Sequence, residues 1–160
     1  MIRQITTCFG VGTLPRAPGT WGSLVALPLT WGLHLLGHAP LVVLVTLVLF
    51  GLGTWAIGKD PRAASDDPGE IVIDEVVGQM LALWPLSIGL WLMEMPNGVF
   101  PWPGLLGAFV LFRFFDIVKP WPVSRFDRPG AFWIMMDDVI AAICAAIITL
   151  IAAGVSHGWF

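Results

Sequence analysis

From Ala17 to Gly58 the chain carries no Asp, Glu, Lys or Arg, and from Val139 to Phe160 it carries none either. A helix that crosses a bilayer needs about 20 mostly apolar residues, because the hydrocarbon core is about 30 Å thick. The first stretch is long enough for two such crossings. Composition agrees: 57% of residues are hydrophobic, 12% are charged, and the mean hydropathy is +0.83. Soluble domains carry about 25% charged residues, so a water-facing surface cannot be built from this inventory. A length of 160 residues suggests one domain, spanning 1–160. Pro15, Pro18 and Gly19 precede the first apolar stretch and no small-residue cleavage pattern ends it, so it reads as membrane helix rather than signal peptide. A net charge of −3 and a pI near 5.4 exclude a basic nucleic-acid footprint, and no nucleic-acid partner is expected. Cys8 and Cys144 fit neither a disulfide framework nor a zinc spacing and read as packing residues.

The apolar segments divide into about five helices, near Thr20–Leu36, Pro40–Gly58, Ile71–Met93, Pro103–Lys119 and Phe132–Gly154. Gly37-His38-Ala39-Pro40 and Pro96-Asn97-Gly98 are tight reversals between them, and Pro28 and Pro85 should kink their helices. The expected fold is therefore all-α and polytopic, with four to five spans, the first helix being either a span or re-entrant. Arg3 and Arg16 precede the first helix, Lys59 and Arg62 join the second to the third, and Lys119, Arg125 and Arg128 join the fourth to the fifth. The other connections hold no Lys or Arg, so all basic loops fall on one side, the cytoplasmic one by the positive-inside rule. The acids share that side although insertion does not require it: Asp60, Asp66, Asp67, Glu70, Asp74 and Glu75 surround the start of the third helix, and only Glu94 lies opposite. A functional site at the cytoplasmic face accounts for that clustering.

Three segments place ionisable groups inside apolar helices. In Ile73-Asp74-Glu75-Val76-Val77-Gly78 two adjacent carboxylates are costly in a membrane helix unless paired, hydrated or bound to a cation. Gly78 lies one turn from Asp74 and permits close approach of another helix. Capping of an interfacial helix start is the competing reading for the two acids. In Phe112 to Pro122, Arg113, Asp116 and Lys119 form a polar stripe at spacings i, i+3 and i+6, and Pro120 leaves Lys119 at the helix mouth. Lys119 there is either a point charge for phosphate or a snorkelling interfacial lysine. The Trp and Phe residues around it read as interfacial anchors. In Met135-Met136-Asp137-Asp138 the adjacent acids point about 100° apart, so one could bind metal while the other holds an arginine or caps a backbone group. A Gly/Pro loop from Gly10 to Ser23 runs into a helix start with Thr20 as its expected N-cap, where free N–H groups can hold an anion. His34, His38 and His157 lie mid-span or at the far face, neither cysteine has an arginine six residues on, and no Asp-x-Asp occurs. Oxygen ligands with basic residues are left, a set that suits Mg²⁺ and a phosphate substrate.

The four segments in this order resemble the phosphatidylglycerophosphatase A family of bacterial membrane lipid phosphatases. The resemblance rests on Pro18-Gly19-Thr20-Trp21-Gly22-Ser23, on Ile73 to Gly78, on Phe112 to Pro122, on Phe126-Asp127-Arg128 and on Met135 to Asp138. Gly130-Ala131-Phe132-Trp133 stands where the family tends to have Gly-Gly-x-Gly, and Ala142 replaces a usual glycine. The resemblance implies Mg²⁺-dependent hydrolysis of phosphatidylglycerophosphate to phosphatidylglycerol and phosphate, on the cytoplasmic side of the bacterial inner membrane. The roles that follow give Mg²⁺ to Asp74, Glu75 and one of Asp137 and Asp138, with Asp138 assigned, and phosphate to Thr20, Ser23, Arg113 and Lys119. Asp116 would orient water or Lys119, which makes Asp74, Glu75, Asp116, Asp137 and Asp138 the catalytic acids. Direct attack by activated water and an acyl-phosphate route both fit these residues. The alternative class is a small ion-coupled transporter using the same acids, although transport sites usually sit near the midplane. No feature specifies an oligomeric state.

Overall fold

The computed structural model describes residues 1–64, 69–96, 99 and 101–156. Among them there is no strand, and six α-helices are linked by short 3-10 turns: α1 Ile2–Thr6, α2 Pro18–Ile57, α3 Ile73–Ala82, α4 Trp84–Leu92, α5 Trp102–Val118 and α6 Ala131–Ser156. Among the described residues three segments are long and apolar enough to cross a membrane, Pro18–Ile57, Ile73–Leu92 and Ala131–Ser156, fewer than the four to five expected.

Two features account for the difference. The first two expected helices form one element of 40 residues, interrupted by non-helical backbone at Gly37 and His38. A Cβ on Gly22 would touch Val72, and one on Gly53 would touch Ile73. Along a straight helix those two glycines would lie about 46 Å apart, so α2 must fold back on itself. The reversal falls where the Gly37-His38 turn was expected. The second feature is that α5 has only 17 residues. Of the expected kinks, Pro28 leaves helical dihedrals unbroken. Pro85, in the first turn of α4, accompanies a break at Leu83, because it cannot donate to the carbonyl one turn back. The Asn97 and Gly98 of the second expected turn, together with Asp66, Asp67 and His157, lie outside the described residues.

The short helix α3 is the hub, touching α2, α4, α5 and α6. Its packing relies on small residues: Ala26, Ala56, Ala82, Ala108, Ala141, Ala142 and Ala145 are all buried. Small side chains let helix backbones approach closely, which matters in lipid because no hydrophobic force drives helices together there. Gly53 is one example, sitting against both Ile73 and Met135. The outer surface of the bundle carries large apolar groups, including Leu44, Leu47, Val48, Ile147 and Ile151.

Asp60 and Glu70, expected around the start of the third helix, serve a different purpose from Asp74 and Glu75. Asp60 is buried and accepts hydrogen bonds from Thr6 Oγ1 at 2.7 Å and from Arg62 Nη2 at 2.6 Å. Arg62 also reaches Glu70 at 2.6 Å, and Arg3 meets the same carboxylate at 3.3 Å. Together with the Val72 N–H donating to Thr6 C=O at 2.9 Å, these bonds tie the N-terminal segment to the chain just ahead of α3. The hydrogen bond from Arg62, helped by Thr6 and opposed by burial, holds the Asp60 carboxyl down at about 2. A depressed carboxyl contributes stability above its unfolded pKa of about 3.9 and loses it as the pH falls through about 2, here on the order of 2 kcal/mol. Asp60→Asn should therefore lower the melting temperature in detergent at pH 7, and the gap from the parent should close between pH 4 and pH 2.

Candidate active site

Four helix ends converge at one end of the bundle. Glycines and proline at the start of α2 supply a compact entry: Ala17 is the N-cap with left-handed φ 51° and Pro18 occupies the first turn. Thr20 is consequently not the N-cap that the loop suggested. Pro18 is pre-set for the first helical position, which places Thr20 inside the helix, its N–H donating to Ala17 C=O at 2.9 Å. From α3 come Asp74 and Glu75, from the last two turns of α5 come Arg113 and Asp116, and from the second turn of α6 come Asp137 and Asp138.

Asp74, Glu75 and Asp138 each present a carboxylate oxygen, and the three oxygens lie within 4.8 Å of one another. Gly78 makes this possible, since a Cβ there would stand 2.7 Å from the buried Phe112 ring and 3.2 Å from Asp138 Cβ. Asp74 Oδ1, Glu75 Oε2 and Asp138 Oδ2 are buried and have no hydrogen-bond partner among the described residues. Three like charges so close, away from water, repel one another strongly. A hard divalent cation with oxygen ligands offsets that repulsion and satisfies the orphaned oxygens, so these residues fit such an ion. Asp74 and Glu75 both sit in the first turn of α3, where the helix dipole also favours acids, so the capping reading and the cation reading place them alike; the orphaned oxygens are what the cation adds an account of.

The basic groups flank the trio, each held by its own acid. Arg113 Nη1 meets Asp116 Oδ2 at 2.5 Å and Ser23 Oγ at 3.5 Å. Ser23 is fully buried and donates to Gly19 C=O at 3.0 Å, so it fixes the start of α2 and supports Arg113. Lys119, the C-cap of α5 at φ 45°, contacts Asp137 at 2.7 Å and Asp127 at 2.9 Å. Burial works against its ammonium, but hydrogen bonds to Asp137 and Asp127 outweigh that and raise it above the usual lysine value. The two α6 acids thus divide as their 100° offset allows: Asp138 joins the trio, while Asp137 accepts the Asp138 backbone N–H at 3.0 Å, as one of the two expectations had it, and holds a lysine rather than an arginine.

Sequence reasoning missed three contributors. Gly19 abuts Glu75 so closely that a Cβ would overlap the carboxylate Oε1, and that Cβ would lie 3.3 Å from Arg113 Nη1. Its signal was its place in the Pro18–Ser23 loop. Asp127 appeared only within the Phe126-Asp127-Arg128 match and had no role; it is the second anchor of Lys119. Arg128 stacks over Trp133, fixing the loop that carries Asp127. Cys8 lies beside the acids without joining them. Burial, then the charges of Asp74 and Glu75, push its thiol up to about 12, away from the thiolate form that a nucleophile needs.

Apolar helices long enough to cross a membrane thus carry, at one end, an acidic trio framed by a fixed arginine and lysine. The chain belongs to the phosphatidylglycerophosphatase A family, whose pattern it matches over residues 4–153. It is 38% identical over 150 residues to phosphatidylglycerophosphatase A of Haemophilus influenzae, covering 92% of this chain and 85% of that one. It is 34% identical over 154 residues to the protein of the same name from Escherichia coli, covering 94% and 81%. A Bacteroides thetaiotaomicron protein named "Putative phosphatidylinositol-3-phosphatase" is 36% identical over 157 residues, covering 92% and 91%. No solved structure matches the chain.

Proposed function

We propose that this chain removes the terminal phosphate monoester of phosphatidylglycerophosphate, yielding phosphatidylglycerol and inorganic phosphate, with Mg²⁺ as cofactor. The observation that carries the reading is the trio of Asp74, Glu75 and Asp138, with Arg113 and Lys119 beside it at the end of the bundle. A bound Mg²⁺ supplies Lewis-acid polarisation of a phosphoryl oxygen and lowers the pKa of water. Asp74, Glu75 and Asp138 would hold it. Arg113, aimed by Asp116 and Ser23, offers its guanidinium to the phosphoryl oxygens. Lys119, kept cationic by Asp137 and Asp127, adds a second positive charge at the mouth. Thr20, in the first turn of α2, completes the phosphate side. Because the acids lie within about three turns of the helix ends, a diacyl substrate could keep its tails in lipid while its headgroup enters. A site at the end of the bundle also argues against the transporter reading.

Purified protein should release phosphate from phosphatidylglycerophosphate only while a divalent cation is present. Exhaustive chelation should stop release and added Mg²⁺ should restore it; full activity after chelation would refute the metal. Phosphatidylinositol 3-phosphate belongs in the same assay, because one relative carries that substrate in its name. Faster turnover of the inositol lipid would reassign the headgroup.

The reading includes five crossings, made by the two halves of α2, by α3 with α4, by α5 and by α6, with the basic loops in the cytoplasm of a bacterial inner membrane. A helix of 17 residues spans about 26 Å, enough for a locally thinned or short crossing. In a variant lacking Cys8 and Cys144, Ser124→Cys and Ser156→Cys place single exposed thiols at opposite ends of the bundle. An impermeant thiol reagent on right-side-out vesicles should label position 156 and spare position 124. The reverse pattern would overturn the orientation.

A further inference from the structure

Gln79 is fully buried, and neither its amide nitrogen nor its amide oxygen has a partner among the described residues. Two unsatisfied polar atoms on one uncharged side chain are costly in an apolar bundle, and such groups call for an explanation. Its position supplies one. Gln79 is one turn beyond Glu75 on α3 and one turn before Leu83, so the three share a face. At one end of that face Glu75 meets Gly19 of α2 and Arg113 of α5. At the other, Leu83 packs with Leu27 of α2 and with Leu105 and Ala108 of α5. Gln79 is therefore held between α2 and α5, directly beneath the site. Two further orphaned atoms lie in that region, Glu75 Oε2, which needs a donor, and Arg113 Nε, which needs an acceptor.

We propose that Gln79 is a positioning residue for the cation site, its carboxamide linking Glu75 to Arg113 from below when the ion is bound. The inference rests on the metal reading given above. A carboxamide is suited to the task because it offers a donor to the carboxylate and an acceptor to the guanidinium, and it adds no charge to compete with the trio. Side chains at i and i+4 on a helix are neighbours, so Gln79 can reach Glu75. Groups that orient metal ligands from behind typically change metal affinity by about 10–100-fold when removed.

The test uses the full-length protein in detergent, with Mg²⁺ as the probe and two readouts: the Mg²⁺-induced rise in melting temperature, and turnover. Gln79→Met keeps the volume and removes both unpaired groups. Its metal-free melting temperature should equal or exceed the parent's. The Mg²⁺ concentration for half of the thermal shift, and for half-maximal turnover, should rise about 10-fold or more. A purely structural glutamine would leave the Mg²⁺ titration where it was, and that result would overturn the proposal. Gln79→Leu removes the carboxamide in a second apolar shape, and it should show the same weakened titration. If Gln79→Met unfolds while Gln79→Leu titrates like the parent, the proposal is also overturned. A parent protein with no Mg²⁺-induced stabilisation would refute the metal reading itself, and this would be visible before any substitution is made.

Discussion

Asp74→Asn and Glu75→Gln will each lower phosphate release by at least about 100-fold, because a lost ligand costs no less than the groups that merely support ligands. Both changes keep the side-chain volume and remove a negative charge. In the metal-free protein they also relieve crowding, since oxygens of Asp74, Glu75 and Asp138 lie within 4.8 Å of one another. The variants should thus insert and fold, with metal-free melting temperatures at or above the parent's, and should lose the stabilisation that Mg²⁺ confers. Stability and activity would then move in opposite directions. Near-normal turnover in both variants would show that the pair serves a structural end and would remove the basis for the metal site. A melting temperature that collapses in both would show that the carboxylates hold the fold.

Gly19→Ala carries the second large effect. The added methyl would overlap the Glu75 carboxylate and crowd Arg113, so either Glu75 leaves the trio or α2 moves away from α3. A misplacement of about 1 Å at a reacting centre can cost about 100-fold in rate, and a loss of that size is expected here. The control is Gly51→Ala, also within α2, where a Cβ meets nothing within 4 Å. That change should leave turnover unaltered and, by helix propensity, add up to about 1 kcal/mol of stability. Equal turnover in the two alanine variants would mean that the close approach of Gly19 to Glu75 has no part in catalysis. Rates measured beside melting temperatures separate a displaced carboxylate from a loosened fold.

Much of this arrangement is already written along the chain. The uncharged runs from Ala17 to Gly58 and from Val139 to Phe160 require helices in an apolar medium, because lipid leaves every backbone polar group to be satisfied within the chain. Asp74, Glu75, Arg113, Asp116, Lys119, Asp137 and Asp138 stand out for the same reason: charge inside such helices is expensive and is kept for a purpose. Gly37 announced the reversal as a helix-breaking residue, although the positive φ of 54° falls on His38 while Gly37 stays at −154°.

Tertiary structure decided what local pattern could not encode, namely which charges meet. Asp60 and Glu70 looked like members of one acidic cluster with Asp74 and Glu75. Yet they close an ion-paired knot with Arg3 and Arg62, because the loop ahead of α3 returns to the N-terminal helix. Asp137 and Asp138 are neighbours in sequence, but one turns to Lys119 and the other to the trio, and that choice depends on where α3 and α5 pack against α6. Thr20 lost the N-cap position to Ala17 because Pro18 starts the helix three residues earlier. Gly19 and Gln79 acquire their importance only from neighbours that arrive from other helices, at contacts set by backbone approach rather than by spacing in the sequence.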